Sequence, residues 1–161
     1  MLPNFAIITL LVGLTLIVCL DALGSLQTAG SRPLARCALI CYIVTLLYIT
    51  VFSRMPVQEI RLQLIPFFEF NRFKGIGFVE NMILFVPAGA LLLLAFPLRA
   101  RTGFAFGFLL SLSVEAIQYI THRGVTDIDD LIANTLGSAL GTIFCLAVKR
   151  LNSTLFPPED A

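Results

Sequence analysis

The chain has 161 residues, with 11 Lys and Arg against 10 Asp and Glu, a formal charge of +1, 58% hydrophobic and 13% charged residues. Soluble domains carry roughly 25% charged residues, so this composition, with a mean hydropathy of +0.93, excludes an ordinary soluble domain and defines an integral membrane protein. The near-neutral charge and the lack of a basic, aromatic-interleaved surface give nucleic acid nothing to hold, so no nucleic acid partner is expected.

A membrane helix needs about 20 mostly apolar residues to cross roughly 30 Å of hydrocarbon. By that measure the sequence predicts an all-α, polytopic helix bundle of five spans: Phe5 to Leu23, Leu34 to Phe52, Val79 to Leu98, Thr102 to Thr121, and Asp130 to Val148. Residues 1–33 form an N-terminal span and loop, residues 34–150 the main helical domain, and residues 151–161 a short polar tail. No Lys or Arg precedes the first apolar run and no small-residue cleavage site follows it. It reads as a retained span and not as a signal peptide, and Val18 stands where a lipoprotein signal wants a small residue.

The second span carries Cys37 and Cys41 on one helical face, with no histidine or third cysteine near enough to suggest zinc. With Cys19 and Cys145 they read as packing or lipid-facing thiols. Between the second and third spans, Phe67, Phe68, Phe70, Phe73 and Phe78 alternate with Arg61, Glu69, Arg72 and Lys74. That pattern predicts an interfacial amphipathic segment, interrupted by Pro56 and Pro66. The third span opens with Asn81 and contains Pro87 and Gly89. Pro87 is expected to kink it and free a backbone carbonyl.

On the fourth span Glu115, Gln118 and His122 share a face. A carboxylate within a membrane costs a few kcal/mol unless it finds a partner or a cavity. Glu115 must therefore point into the bundle, with Gln118 and Arg123 its nearest candidate partners. The fifth span opens with "TDIDDL", where Thr126 is placed to cap the helix and Asp127, Asp129 and Asp130 fill the first turn. Asp130, Asn134, Gly137 and Gly141 follow on one face. Gly137 and Gly141 form one GxxxG and Gly103 and Gly107 another, which predicts close approach of the fourth and fifth spans.

Positively charged short loops stay cytoplasmic. Arg32, Arg36, Arg99, Arg101, Lys149 and Arg150 mark one side, with few acids among them, whereas the bases of the other side are diluted by glutamates and aspartates. The Asp-rich loop is thus expected outside the cell membrane. Single cysteines in the loop at Gly124 and in the turn at Ala100 test this: an impermeant thiol reagent should label the first from outside, and preferential labelling at 100 reverses the orientation.

In this topology Asn81, Glu115, Gln118, Asp130 and Asn134 lie at one depth on three spans. Asp127, Asp130 and Asn134 are expected to line an outward cleft with Glu115 and Asn81, and Asp129 to turn toward Arg123. "LIPF" at Leu64 to Phe67, "ENMILFVPAG" from Glu80, "SVEAIQ" from Ser113 and "RGVTDIDDLIANTLGSALG" from Arg123 together resemble the VanZ-like membrane proteins, a family named for a protein linked to teicoplanin resistance. The resemblance spans roughly residues 48 to 148 and implies recurring roles for Pro66, Asn81, Pro87, Gly89, Glu115, Gln118, Arg123, Asp127, Asp129, Asp130, Asn134 and Gly137. Gln63 departs from it, since the family often has Asn there.

The function expected from these residues is binding of membrane lipids, a lipid-linked cell-wall precursor or a lipoglycopeptide, in a multi-pass protein of the bacterial cytoplasmic membrane. One alternative is an enzyme acting on an envelope lipid with its clustered Asp and Glu, Asp127 and Asp130 holding a hard cation with Glu115. Another is a purely structural bundle. His122 is the chain's single histidine, which leaves a Ser or Cys nucleophile without an adjacent base. Five short spans without an inverted repeat speak against a transporter.

Overall fold

The structure, a computed structural model, describes residues 31–58, 62–68 and 71–155. Helix α1 spans Ser31–Leu47 and widens into a π turn at Tyr48–Phe52; β1 is Leu62–Gln63, α2 Arg72–Ala95, α3 Ala100–Thr121, β2 Thr126–Asp127 and α4 Ile128–Leu155. Among the described residues four helices are long and apolar enough to cross a membrane: Arg32–Phe52, Arg72–Ala95, Ala100–Thr121 and Ile128–Leu151. They correspond to four of the five expected spans. The expected span Phe5 to Leu23 lies outside the described residues.

The helix boundaries differ from the sequence reading by the most at the start of α2 and the end of α4. Helix α2 begins at Arg72, so Phe73, Lys74 and Phe78 belong to the same helix as the third span. The cause is Asn71, whose side-chain oxygen accepts from the Phe73 and Lys74 amides at 3.0 and 3.1 Å. Such a cap satisfies donors that a helix start leaves free, and it outweighs the aromatic-charged alternation that follows. The segment before it is not continuous: Leu62–Gln63 pairs in parallel with Thr126–Asp127, a short extended contact within an otherwise helical fold. Glu59, Arg61, Glu69 and Phe70 lie outside the described residues. At the far end α4 runs on to Leu155, into the expected polar tail.

Helix α2 is the centre of the bundle. Inside the protein 61% of its apolar stretch is buried, against 33–39% for the other spans, as expected for a helix that is hydrophobic all round. One flank receives α1, where Ala35, Leu39, Tyr42 and Leu46 are buried. α2 stays helical through Pro87, and the Tyr42 hydroxyl donates to the Leu84 carbonyl, next to the Ile83 carbonyl that the proline leaves without its usual donor.

The other flank receives α4, and here glycine decides the distance. A methyl group at Gly137 would overlap the Met82 carbonyl, and one at Gly141 the Val86 carbonyl. The α4 GxxxG is therefore used against α2. Gly103 and Gly107 of α3 do face α4, against Thr142 and Ser138, so the two motifs serve two interfaces and do not meet each other. Arg36 and Lys149 close the last turn of α2 by donating to the Ala95 and Leu93 carbonyls, a favourable use of cations at a helix C-terminus. Cys37 and Cys41 are exposed on α1 and Cys145 is buried, while Cys19 lies outside the described residues.

Candidate functional site

The polar residues collect at the end of the bundle where α3 turns into α4. His122 ends α3 with φ 54°, and its carbonyl accepts from the Val57 amide at 2.8 Å. It is exposed and does not continue the Glu115 face. Gly124, at φ 93°, completes the turn. A side chain there would be strained in backbone and would meet Arg54 at 3.0 Å.

Asp127, not Thr126, caps α4: its Oδ1 accepts from the Asp129 amide at 2.9 Å. Thr126 and Asp127 both pair with the Leu62–Gln63 strand and the helix starts at Ile128, which makes Asp127 the residue before its first turn. Glu115 reaches across the turn, and its Oε2 accepts from the Asp127 amide at 3.1 Å. It is 5% exposed, and its Oε1 has no hydrogen-bond partner.

Around this contact the charges alternate. Asp127 lies 3.8 Å from Lys74, and Asp130 lies 3.9 Å from Arg54. Asn81 of α2 lies close enough to the Asp130 side chain to act on it electrostatically. Glu115 is within electrostatic range of Asp130, Arg54 and Asp127. Asn81, Glu115, Asp127 and Asp130 are thus assembled from α2, α3 and α4. Asn134 lies one turn deeper on α4, 2% exposed and with its Oδ1 unpartnered.

The remaining sequence-selected residues do something else. Arg123 does not reach Asp129. Its Nη1 donates to the Phe52 carbonyl at 3.0 Å and the Arg54 carbonyl at 2.9 Å, acceptors left open because α1 ends there. Gln118 is 2% exposed and donates through Nε2 to the Thr50 carbonyl at 2.8 Å, inside the π turn. These two side chains bracket the end of α1. Asp129 is 4% exposed and its Oδ1 accepts from the Phe67 amide at 2.8 Å. The "LIPF" turn, where Phe67 sits at φ 56°, is therefore held onto the start of α4 by this carboxylate and by the β pair. Gln63 pairs with Asp127 through the backbone and turns its amide to the Ile65 carbonyl at 3.0 Å.

Sequence reasoning missed Arg54 and Lys74 as partners of Asp130 and Asp127, because both read as ordinary loop bases. It also missed Ser138 and Thr142, whose hydroxyls are buried without partners. The four-residue spacing from Asn134 was a usable signal.

Beside Glu115 a shallow groove of about 310 Å³ runs between α3 and the β pair, lined by Leu62, Leu112, Glu115, Ala116, Tyr119, Ile120 and Thr126. Leu112, Tyr119 and Ile120 belong to the exposed face of α3. Among the described residues no three His, Cys, Asp or Glu side chains converge to hold a metal ion, so Glu115, Asp127 and Asp130 do not form the donor set of the cation reading.

Fold and site together define a multi-pass membrane helix bundle with a buried acidic and amide cluster at one end. A family model described as VanZ/LLP1 matches residues 39–149, and the chain belongs to that family. Protein VanZ of Enterococcus faecium is 36% identical over 130 residues, covering 75% of this chain and 80% of the relative. No solved structure matches the chain.

Proposed function

We propose that the chain is an envelope-lipid or lipoglycopeptide binding protein of the bacterial cell membrane, with its polar cluster on the outer side. The groove takes the polar part of an amphiphile, whether a membrane lipid, a lipid-linked cell-wall precursor or a lipoglycopeptide. Its acyl portion lies along Leu112, Tyr119 and Ile120. The likeness to Protein VanZ, and the teicoplanin resistance for which that family is named, support a role in tolerance of envelope-directed agents.

One observation carries the reading: Glu115 lines the groove while its buried Oε1 lacks a partner. A purely structural bundle accounts for Arg123, bound to two backbone carbonyls, whereas Gln118 and Asp129 each match one atom to a backbone group and leave the other, Gln118 Oε1 and Asp129 Oδ2, buried without a partner, as Glu115 does. A buried polar group without a hydrogen bond costs a few kcal/mol, and of these three side chains Glu115 alone lines the groove, where a ligand can come near it. A ligand that supplies the missing donor offsets that cost.

Asp130→Asn and Asp127→Asn test the reading. Asparagine caps a helix as well as aspartate, so both variants should reach normal membrane levels and melt normally. In a host where the wild type protects against a lipoglycopeptide, protection should be lost. Full protection from both variants would return the cluster to capping and packing, and turnover of an envelope lipid by purified protein would replace binding by catalysis.

A further inference from the structure

The chemistry of the groove narrows the ligand, on the premise that the groove is the binding site. We propose that Glu115 receives an ammonium group, and that the amphiphile carrying it enters sideways from the bilayer along α3.

The donors of the cluster are already engaged. The Asp127 amide is given to Glu115 Oε2, and the Asp129 amide to Asp127. Lys74 is shared between Asp127 and the Phe68 carbonyl. Arg54 faces Asp130, and Arg123 is bound to two carbonyls. What remains beside the groove is the partnerless Glu115 Oε1, buried behind the apolar lining and in the field of Asp130, Arg54 and Asp127. A phosphate arriving there meets carboxylates, with the nearby cations committed elsewhere. An ammonium completes a charge-assisted hydrogen bond of the kind that is strongest when water is excluded.

The direction of entry follows from the lining. Leu112, Ala116, Tyr119 and Ile120 recur at helical spacing on the outward face of α3 and are all exposed. They lie within the span Ala100–Thr121, where the medium is lipid and not water. From Leu112 to Ile120 the track is about 12 Å long at 1.5 Å per residue, enough for much of one alkyl chain. Leu62 and Thr126 of the β pair line its other side, and Glu115 lies within the track, one turn beyond Leu112. An apolar track beside one buried acceptor matches an alkyl ammonium in shape and in polarity.

The test uses the full chain in non-ionic detergent, titrated with dodecylamine, dodecanol and dodecyl phosphate while its melting temperature is followed. Dodecylammonium should stabilise the wild type saturably at roughly tenfold lower concentration than either other probe, as expected from about 1.4 kcal/mol of preference. Glu115→Gln should lose that preference. Ala116→Trp, which fills the groove from the exposed face of α3, should lose stabilisation by all three. Equal or better stabilisation by dodecyl phosphate, or a preference unchanged in Glu115→Gln, overturns the ammonium assignment. If the three probes bind equally and Ala116→Trp abolishes them, the groove reading survives and the headgroup assignment falls. No saturable effect from any probe removes both. Competition then locates the amine: displacement of dodecylammonium by an aminophospholipid assigns it to a membrane lipid, displacement by an amine-bearing lipoglycopeptide to that drug class, and displacement by neither overturns the proposal.

Discussion

Replacing Gly141 by alanine is expected to prevent accumulation of the folded bundle. Two effects oppose each other at this position. Alanine favours a helix over glycine by about 1 kcal/mol. Against that, the added methyl overlaps the Val86 carbonyl and lies 3.0 Å from the Ala90 amide nitrogen. Both obstacles are backbone of α2, so no side-chain rotation relieves them, and α2 must move as a whole. Overpacking costs about 1–3 kcal/mol where side chains can yield, and occasionally more. A backbone obstacle belongs at or above the upper end, so the clash wins. Gly77→Ala is the matched control, because nothing lies within 4 Å of its added carbon. There the helix preference acts alone, and the variant should melt at or above the wild-type temperature. Membrane levels and melting curves of the two variants check this. A normal melting temperature for Gly141→Ala would mean that α2 and α4 are not in backbone contact.

The same crossing shows how far sequence alone reaches. The helices are legible because an apolar run of span length, in a chain this hydrophobic, is stable only in the bilayer. The polar residues are legible as a group because each is costly in that setting. Their partners are not. Charge complementarity pairs Arg123 with an aspartate, but it binds the carbonyls of Phe52 and Arg54. The same rule pairs Asp129 with an arginine, but it binds the Phe67 amide. Backbone donors and acceptors have no residue-type signature, so a search for complementary side chains passes over them. Thr126 and Asp127 are held in a two-residue pairing with Leu62–Gln63, and Asp127, the last residue before α4, becomes its cap. That pairing joins segments more than sixty residues apart, and such short strands leave no alternation to detect.

The glycine pairs carry a similar ambiguity. Their spacing marks a face that another helix can approach, without naming the helix. Gly103 and Gly107 meet α4 as expected, whereas Gly137 and Gly141 meet α2. The departure at Gln63 has a local account: its backbone is what pairs with Asp127, and its side chain turns back to the Ile65 carbonyl.

The central claim is that Glu115 is held in readiness for a ligand and is not a packing element. Native mass spectrometry of the gently extracted chain tests it most directly, with wild type and Glu115→Gln measured side by side. Glutamine preserves the size of the side chain and can still accept from the Asp127 amide, so the fold should persist. It cannot offer a carboxylate to an arriving ammonium. Loss of a hydrogen bond to a charged group costs about 1.5–3 kcal/mol, which lowers affinity roughly tenfold to a hundredfold. The wild type should therefore carry one defined amphiphile through extraction, and Glu115→Gln should emerge folded but largely free of it. A wild type that emerges bare, or a Glu115→Gln variant that keeps the same amphiphile at the same occupancy, would contradict the account.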